Sequence, residues 1–472
     1  MAKKKKNRTT TSRLPRLKKT LCLVAPLLLA VFFLLQLQTL GVFSPVARCA
    51  SQAATVDSLV RRLSALATFH PLRDKRESKG AWFISALNDT YDPEGEARNL
   101  VLPSNASSGR VLCASAPPGT DATYALAWRD ALPRGAALRR GLAFVSESPY
   151  DYNNLWHGLT AVVPFVSWHA RSRCRARPAR WALFQNGAAR KGMGGWLTSL
   201  AEAAVGAEMV VEAFGPLPVC FEQAVVFRRQ MNGLSRERLR GAFDLMRCRA
   251  RAHCGVAPTT DAAAFRVTLL FRSGARAFKD EAAVARVFGK ECARVAGCTV
   301  TAARTDNLTF CDQVRSLPPA QYLYCTYVQL SMNACMQVRL LSATDVLITP
   351  HGAQLTNLLF MERNSSVMEF YPLGWRQRAG GGQFVYRWMA SRAGMRHEGS
   401  WWDPNGEPCA DSPDILSCYK SRQIGHDEDY FGQWASKVFA AAKERKMGLG
   451  GAAAVGAPQE ERRREASACA CS

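Results

Sequence analysis

The chain opens with a polar, basic stretch that gives way to a long apolar run. Residues 1–20 carry nine basic side chains and no acidic one, and residues 21–40 are predominantly apolar. Twenty helical residues at about 1.5 Å each span about 30 Å, the thickness of a bilayer's hydrocarbon core. The pattern predicts a transmembrane signal anchor at 21–40 behind a cytosolic basic tail. The positive-inside rule then places the following residues in the lumen, as in a single-pass type II membrane protein.

Beyond this segment, short apolar runs rich in β-branched residues alternate with stretches of helical period. Helices are expected to begin at Asn154 and Gly195, and this alternation is typical of parallel, doubly wound α/β folds. The expected strands are 141–146, 181–186, 220–227, 266–271, 298–303, 345–350 and 366–371. About 370 residues are too many for one ordinary core, so two lobes are predicted. The predicted boundaries are a stem at 41–79, a first lobe at 80–258, a second lobe at 259–447 and a disordered tail at 448–472.

Cysteines and glycosylation motifs agree with a lumenal location. Nearly all of the sixteen cysteines follow the apolar run, and disulfides persist in oxidising compartments. Four Asn-x-Ser/Thr motifs also follow it, at Asn88, Asn105, Asn307 and Asn364. The cysteines cluster in close pairs, and their spacing favours disulfides over a structural zinc site while leaving the connectivity open. The pairs are Cys248 with Cys254, Cys292 with Cys298, and Cys409 with Cys418.

The net charge of +24 does little to identify a binding partner. Nine of these charges belong to the basic tail, so 24 − 9 = +15 remains for the rest of the chain. The excess is dense in residues 171–180. It suits nucleotide phosphates, acidic glycans or a membrane surface equally well, and a lumenal protein rarely meets a nucleic acid polymer.

The strongest chemical signal is the passage from 344 to 375, which is expected to form a strand, a tight turn, a helix and a second strand. Small residues at Gly352 and Ala353 permit close backbone approach, and a helix N-terminus favours an anion such as a diphosphate. His351 can donate to that phosphate, Asn357 can orient it, and Glu369 can accept hydrogen bonds from ribose hydroxyls. Trp375 is a further candidate for stacking on a sugar or base.

The motifs HGAQLTN and EFYPLGW in this passage resemble the donor-site signature of glycosyltransferase family 61. The resemblance implies an inverting, metal-independent enzyme with two Rossmann-like lobes in a GT-B-like arrangement, the second lobe binding a UDP-sugar and the first an acceptor. It extends to FRSGAR at 271–276, where Arg272 and Arg276 match the family's basic strand end. Both guanidinium groups can clamp a leaving UDP. An acid pair within HDED at 426–429 is a weaker candidate for holding a metal.

The family's acceptor-side motif is matched by Asn154, Trp156 and His157, but the position of its proposed catalytic acid is Ala161. An inverting transferase needs a base to take the acceptor's proton. Asp151 and His157 are the preferred candidates. Two further residues remain open for this role, Glu147 and His169.

These features predict a Golgi glycosyltransferase that moves a sugar from a UDP-sugar to a lumenal glycan or glycoprotein. The enzyme is expected to need no cofactor or metal and to act as a homo- or hetero-oligomer or alone. By family likeness xylose is the preferred sugar, and arabinofuranose and N-acetylglucosamine remain open. A catalytically silent Golgi protein that binds nucleotide sugar or glycan is one rival. A hydrolase using Glu147 and Glu222 as its acid pair is another.

Overall fold

The computed structural model describes the greater part of the chain after residue 98. The described residues are 70–71, 99–105, 107, 109–115, 124–128, 132–227, 231, 234–256, 263–304, 334–378, 380–406, 408–409 and 414–454. The predicted anchor, Asn88, Asn307 and nearly all of the predicted stem lie outside them. Within these ranges no helix is long and apolar enough to cross a membrane.

Eight strands form a first, mixed sheet. The strand β5 is parallel to β6 and β8, whereas the other pairs are antiparallel. The order is β1-β4-β3-β8-β5-β6-β7, and β2 also pairs with β8. The strands are β1 (His70–Pro71), β2 (Asn99–Leu102), β3 (Val111–Ser115), β4 (Tyr124–Trp128), β5 (Ala137–Ser148), β6 (Arg180–Gln185), β7 (Ala188–Arg190) and β8 (Val219–Phe227).

This sheet departs from the predicted all-parallel arrangement. The strands β3 and β4 are joined by residues 116–123, a connection too short for the crossover that parallel neighbours need. Antiparallel pairing is the result. The strand β1 falls within the stretch predicted as stem, yet His70 and Pro71 pair with β4 at this sheet's edge.

Two helices follow strands of this sheet as the sequence predicts, α1 (Leu155–Arg171) and α2 (Gly195–Val205), and a helix that was not predicted, α3 (Arg236–His253), follows β8. Asn154 caps α1, its side-chain oxygen accepting from the backbone N–H groups of Trp156 and His157. Ser235 caps α3 in the same way, accepting from the N–H of Arg238. Such caps satisfy N–H groups that have no partner within the helix.

The second sheet is entirely parallel, in the order β10-β9-β11-β12-β13. Every residue of β11 and β12 is buried, which explains why most of their residues are apolar. The strands are β9 (Phe265–Phe271), β10 (Cys298–Arg304), β11 (Val346–Pro350), β12 (Ser366–Tyr371) and β13 (Arg396–Trp402). The helices are α4 (Glu281–Ala293), α5 (Ala334–Ser342), α6 (Trp375–Arg378), α7 (Val385–Ala393), α8 (Ile415–Ser421) and α9 (Glu428–Ala454), with 3₁₀ helices at Ala353–Phe360 and Gly380–Phe384.

One apolar core continues from the helices of the first sheet to one face of the second. It contains Leu159 of α1, Phe243 of α3, Leu358 of the 3₁₀ helix and Met389 of α7. A second core lies on the other face, under α4 and α9. The α/β architecture with parallel strands is Rossmann-like, as predicted.

Disulfides brace these elements, among them Cys113–Cys220, Cys254–Cys335, Cys292–Cys298 and Cys409–Cys418. The last two join cysteines that the sequence groups together. Cys254 instead bonds to Cys335 on α5, across 81 residues, while Cys248 is also disulfide-bonded. Proximity in sequence therefore identifies the partners of Cys292 and Cys409, but not the partner of Cys254.

The helix α9 continues past Gly448, where the sequence predicts disorder to begin, and ends at Ala454. Extending an existing helix costs far less than starting one, and alanine is the best helix former. The remaining tail lies outside the described residues.

Candidate active site

The order of the second sheet places two predicted motifs side by side. The chain passes from β9 to β10 on one side and later returns to β11 on the other. Connections that diverge from neighbouring parallel strands open a crevice at the carboxyl ends of those strands, where ligands of doubly wound sheets bind. Arg272 directly follows β9 and His351 directly follows β11, so both lie at this switch point.

The turn after β11 is shaped by close contact with Arg272. The Arg272 Nη1 lies 3.4 Å from the His351 carbonyl oxygen and 3.4 Å from the Gln354 Oε1. A Cβ atom on Gly352 would lie 2.2 Å from the Arg272 Nη1 and 2.3 Å from the Gln354 Oε1. A larger residue would have to displace one of these two side chains, and the small Ala353 then begins the 3₁₀ helix. The predicted close approach is present, although the element after the turn is 3₁₀ rather than α-helical.

Arg276 brings a second positive charge to the same edge. It adopts a left-handed backbone with φ of 60°, held by a hydrogen bond from its N–H to the Arg422 carbonyl. Its guanidinium carbon lies 5.0 Å from the centre of the Trp375 ring. Burial, and then the charge of Arg272, lowers the Arg276 pKa to about 10. Within the described part of the chain its Nε has no hydrogen-bond partner, so this edge is suited to an anion.

His351 is held from behind by a buried carboxylate. Its Nδ1 lies 2.6 Å from the Glu369 Oε1, and the His397 Nε2 lies 2.8 Å from the Glu369 Oε2. Burial alone would raise the Glu369 pKa, but the hydrogen bonds from His351 and His397 outweigh it and lower the pKa to about 2. An ionised carboxylate only accepts hydrogen bonds, so His351 carries a proton on Nδ1, and its Nε2 can donate to a phosphate only when that nitrogen is protonated as well.

The structure does not place Glu369 where it could reach a ribose. Both of its oxygens are engaged and its side chain is 0% exposed, whereas that of His351 keeps 9% of its exposure. Asn357 is likewise fully buried. Its amide accepts from the Trp196 Nε1 at 3.0 Å and donates to the Gln354 carbonyl at 3.0 Å. Both residues support the turn instead of facing the crevice.

Three aromatic rings pack around His351. Its ring stacks on Tyr371 at 4.7 Å, and the rings of Trp375 and Tyr386 lie 5.0 Å and 5.4 Å away. Burial raises the pKa of Tyr371, as does the Glu369 charge, and the Tyr371 hydroxyl donates to the Gln383 carbonyl at 2.7 Å. Trp375 is buried and borders the site, as the sequence suggests.

Tyr386 also joins the first half of the chain to the second. The Trp156 ring meets the Tyr386 ring edge-on at 5.7 Å, and Tyr386 in turn contacts His351. The predicted acceptor-side motif at the start of α1 and the predicted donor-side turn therefore meet in one aromatic cluster. Asn154 serves this arrangement by capping the helix on which Trp156 lies.

The two preferred base candidates lie together at the start of α1. His157 is half-buried and stacks on Tyr150 at 4.2 Å. Burial lowers the His157 pKa, and the nearby charge of Asp151 opposes that effect. Asp151 is exposed and accepts a hydrogen bond from the Asn153 N–H at 3.0 Å. One turn further on, Ala161 lies in the apolar core.

His169 lies away from this site, and the two carboxylates of the hydrolase pair lie far from each other. His169 is buried in the last turn of α1, about 18 Å along the helix from His157, where its Nδ1 bonds the Ala176 carbonyl. Leu142 lies opposite Gln223 in the sheet, so Glu147 and Glu222 are about six residues, or about 20 Å, apart along the strands. Glycosidase carboxylates stand about 5–10 Å apart, which contradicts the hydrolase reading.

Further predicted residues lie at the surface. The exposed Asn105 and Asn364 are compatible with glycosylation. Asp427 caps α9, accepting from the Tyr430 N–H at 2.9 Å. Among the described residues no group of three or more His, Cys, Asp or Glu side chains could hold a metal ion.

A cavity of about 650 Å³ opens beside Arg276 at the same edge of the sheet. Polar groups of the loops after β9 and β13 and of the segment after α8 line it, among them Lys279, Asn405 and Gln423. The pairing of residues 276–279 with 422–424 forms one wall. Its volume is within the range of sites for small organic ligands.

A family model described as Glycosyltransferase 61 matches residues 130–368, just over half of the chain. The chain belongs to glycosyltransferase family 61. The match includes α1, both arginines of the loop after β9 and the turn at His351, so the resemblance carried by the motifs is confirmed. Family 61 membership makes the protein a glycosyltransferase that acts on a donor sugar and an acceptor.

The other comparisons add nothing to this family 61 assignment. No curated protein matches the chain. An oxidoreductase from Corynebacterium diphtheriae aligns with 11% identity over 39% of this chain and 98% of its own, with a TM-score of 0.21. That score is too low to carry an argument.

Tyr386 and His397 are site residues that the sequence did not single out. Tyr386 lies on α7, in a segment without a motif. His397 reaches Glu369 only because β13 pairs with β12, and strand register cannot be read from a short polar strand. Tyr371 stands within the recognised EFYPLGW motif, which was the one available signal.

Proposed function

We propose that the protein is an inverting, UDP-sugar-dependent glycosyltransferase whose donor diphosphate binds at the switch point of the second sheet. The observation that carries this proposal is the convergence of Arg272, Arg276 and the His351–Gly352 turn on one crevice. Two guanidinium groups can neutralise a leaving diphosphate without a metal ion, and His351 adds a hydrogen bond when its Nε2 also carries a proton. Metal independence is accordingly part of the proposal.

The nucleoside would occupy the 650 Å³ cavity beside Arg276. Gly274 and Ala275 line this cavity and directly precede Arg276, so a diphosphate held by Arg276 would present its nucleoside there. Polar side chains such as Asn405 and Gln423 offer the donors and acceptors that a uracil and a ribose require.

His157 is the group best suited to take the acceptor's proton. Its lowered pKa keeps the imidazole neutral at neutral pH, as a base must be. In the transfer, the acceptor oxygen would form a bond to the sugar's anomeric carbon as His157 takes the hydroxyl proton. The bond to the diphosphate would break on the opposite side, and UDP would leave with its electrons. Asp151 would stabilise the imidazolium.

The arrangement of the lobes, the membrane topology, the donor sugar and the acceptor are proposed from the sequence and the family. A GT-B arrangement is supported by the meeting of α1 with the second sheet at Tyr386. The basic tail and the apolar run at 21–40 support a type II Golgi membrane protein with a lumenal catalytic part. UDP-xylose is the preferred donor, with UDP-arabinofuranose and UDP-N-acetylglucosamine as alternatives, and a glycan or glycoprotein is the acceptor.

A silent binding protein is the second candidate. It is favoured by one observation: Ala161 lies in the apolar core, so no acid stands at the family's catalytic position. A silent binding protein would have the same donor site but would transfer no sugar.

Thermal unfolding of the purified chain with a panel of nucleotide sugars in EDTA tests the donor site. A true donor at a hundred times its dissociation constant stabilises the fold by about 2.7 kcal/mol. His351→Ala should remove the stabilisation. If none of the nucleotide sugars raises the midpoint, the transferase proposal fails. Release of UDP that is lost in His157→Ala, with UDP binding intact, excludes the silent protein.

A further inference from the structure

A histidine on the edge strand lies behind the catalytic crevice and contacts the carboxylate that holds His351. The Glu369 side chain is completely buried, and its two oxygens meet one histidine each, at 2.6 Å and 2.8 Å. The His397 side chain is 4% exposed. Two imidazole rings and one carboxylate therefore form a continuous hydrogen-bonded row from β13 through β12 to the turn after β11.

An irregularity in β13 determines how His397 is oriented. His397 pairs with Val367, but Ser400 pairs with Glu369, so the register shifts between them. Within this bulge Gly399 has a φ of 113°, which glycine adopts readily and other residues rarely do. Its N–H points to the His397 Nδ1 at 3.4 Å. Bulges of this kind often re-aim a side chain next to an active site.

The direction of each hydrogen bond follows from this geometry. The His397 Nδ1 accepts from the Gly399 N–H, so the His397 proton lies on Nε2 and is donated to the Glu369 Oε2. The Glu369 Oε1 is then left to accept from the His351 Nδ1. This order keeps a proton on the His351 Nδ1, so that a ring that also carries a proton on Nε2 can donate from there to a phosphate oxygen.

We propose that His397 is a positioning residue of the donor site, which acts through Glu369 to keep a proton on the His351 Nδ1 and to hold the ring in the orientation from which a protonated Nε2 donates to the donor diphosphate. The effect on nucleotide affinity rests on the proposed function. The tautomer of His351 does not, because it depends only on contacts within the protein. At metal sites, residues that hydrogen-bond a ligating histidine orient it in a comparable way, and their loss typically costs 10- to 100-fold in metal affinity or activity.

Two amide substitutions test the proposal on the full chain. In His397→Gln the amide nitrogen takes the place of the imidazole Nε2 and can still donate to Glu369. In His397→Asn the amide nitrogen lies nearer the backbone, where Nδ1 was, and cannot reach the carboxylate. His426→Asn, at an exposed position, is the matched control. Selective ¹⁵N labelling of the seven histidines reports the tautomer of His351, and calorimetry reports UDP affinity.

We expect the wild type, His397→Gln and His426→Asn to show His351 protonated on Nδ1 and to bind UDP with similar affinity. His397→Asn should lose the fixed tautomer and bind UDP about tenfold more weakly or worse. An unchanged His351 spectrum in a folded His397→Asn variant would overturn the proposal, as would an equal loss of UDP affinity in the Gln and Asn variants.

If the wild type does not bind UDP, the proposed function fails, while the His351 spectra still decide the role of His397. If His397→Asn does not fold, the wild-type and Gln spectra decide: a His351 without the Nδ1 proton contradicts the proposal.

Discussion

The glycine after His351 offers a direct way to displace a phosphate-binding arginine without removing it. In Gly352→Ala the new methyl group would meet the Arg272 Nη1 at 2.2 Å and the Gln354 Oε1 at 2.3 Å. Both atoms are ends of long side chains, and Gly352 has an extended backbone with φ of 169° that alanine adopts without strain. The fold should therefore accept the substitution at a cost of about 1–2 kcal/mol in unfolding free energy.

The cost to nucleotide binding should be larger. Arg272 must turn away from the His351 carbonyl, and one hydrogen bond between a charged group and the diphosphate is worth about 1.5–3 kcal/mol. At about 1.4 kcal/mol per factor of ten, UDP affinity should fall roughly 10- to 150-fold. Calorimetric titration with UDP in EDTA measures it. Gly192→Ala, where a Cβ meets nothing within 4 Å, should bind UDP as the wild type does.

The result that refutes this reasoning is a folded Gly352→Ala variant with wild-type affinity for UDP. Arg272 would then not contact the diphosphate, and the contact seen at the turn would be purely structural. Loss of the fold, seen as a collapse of the thermal midpoint, would instead show that Gln354 cannot move.

Three further predictions concern stability. Asp244→Ala leaves the buried Arg247 guanidinium, 2.8 Å from the Asp244 Oδ1, without its charge partner. The unfolding free energy should fall by about 3–5 kcal/mol, against about 0.5 kcal/mol or less for the exposed Glu208→Ala; equal losses would contradict the ion pair's role. Replacing Cys254 and Cys335 with serine opens an 81-residue loop and should cost about 2–5 kcal/mol in denaturant titrations, and an unchanged midpoint would argue against this pairing. The lowered pKa of Glu369, about 2 against 4.5, stabilises the fold above pH 4.5. On the order of 3 kcal/mol of unfolding free energy should be lost as the pH falls through 2. In Glu369→Gln the unfolding free energy should therefore depend less on pH in this range. The same pH dependence in the variant and the wild type would contradict the lowered pKa.

The sequence predicts elements well wherever local pattern determines them. The strands at 141–146, 266–271 and 345–350 and the helix starting after Asn154 are found within a few residues of their predicted bounds, because a buried parallel strand is continuously apolar and a capped helix has a marked start. The antiparallel half of the first sheet was missed, because pairing direction depends on distant partners.

The candidate site was predicted in its residue types and less well in their roles. Arg272, Arg276, His351 and Gly352 converge because they lie in the turns that follow β9 and β11, two neighbouring strands of one parallel sheet. The role of Glu369 could not be read from its position, since it depends on His397 approaching from an edge strand with a bulge. Asn357 was misjudged for a similar reason, because its partner Trp196 lies in the other half of the chain.

A crystal structure of the protein soaked with UDP would show where the donor nucleotide binds. We expect a diphosphate in contact with the Arg272 and Arg276 guanidinium groups and the His351 Nε2, with the uracil in the cavity beside Asn405 and Gln423. Density for UDP elsewhere, or an empty crevice at saturating UDP, would contradict it.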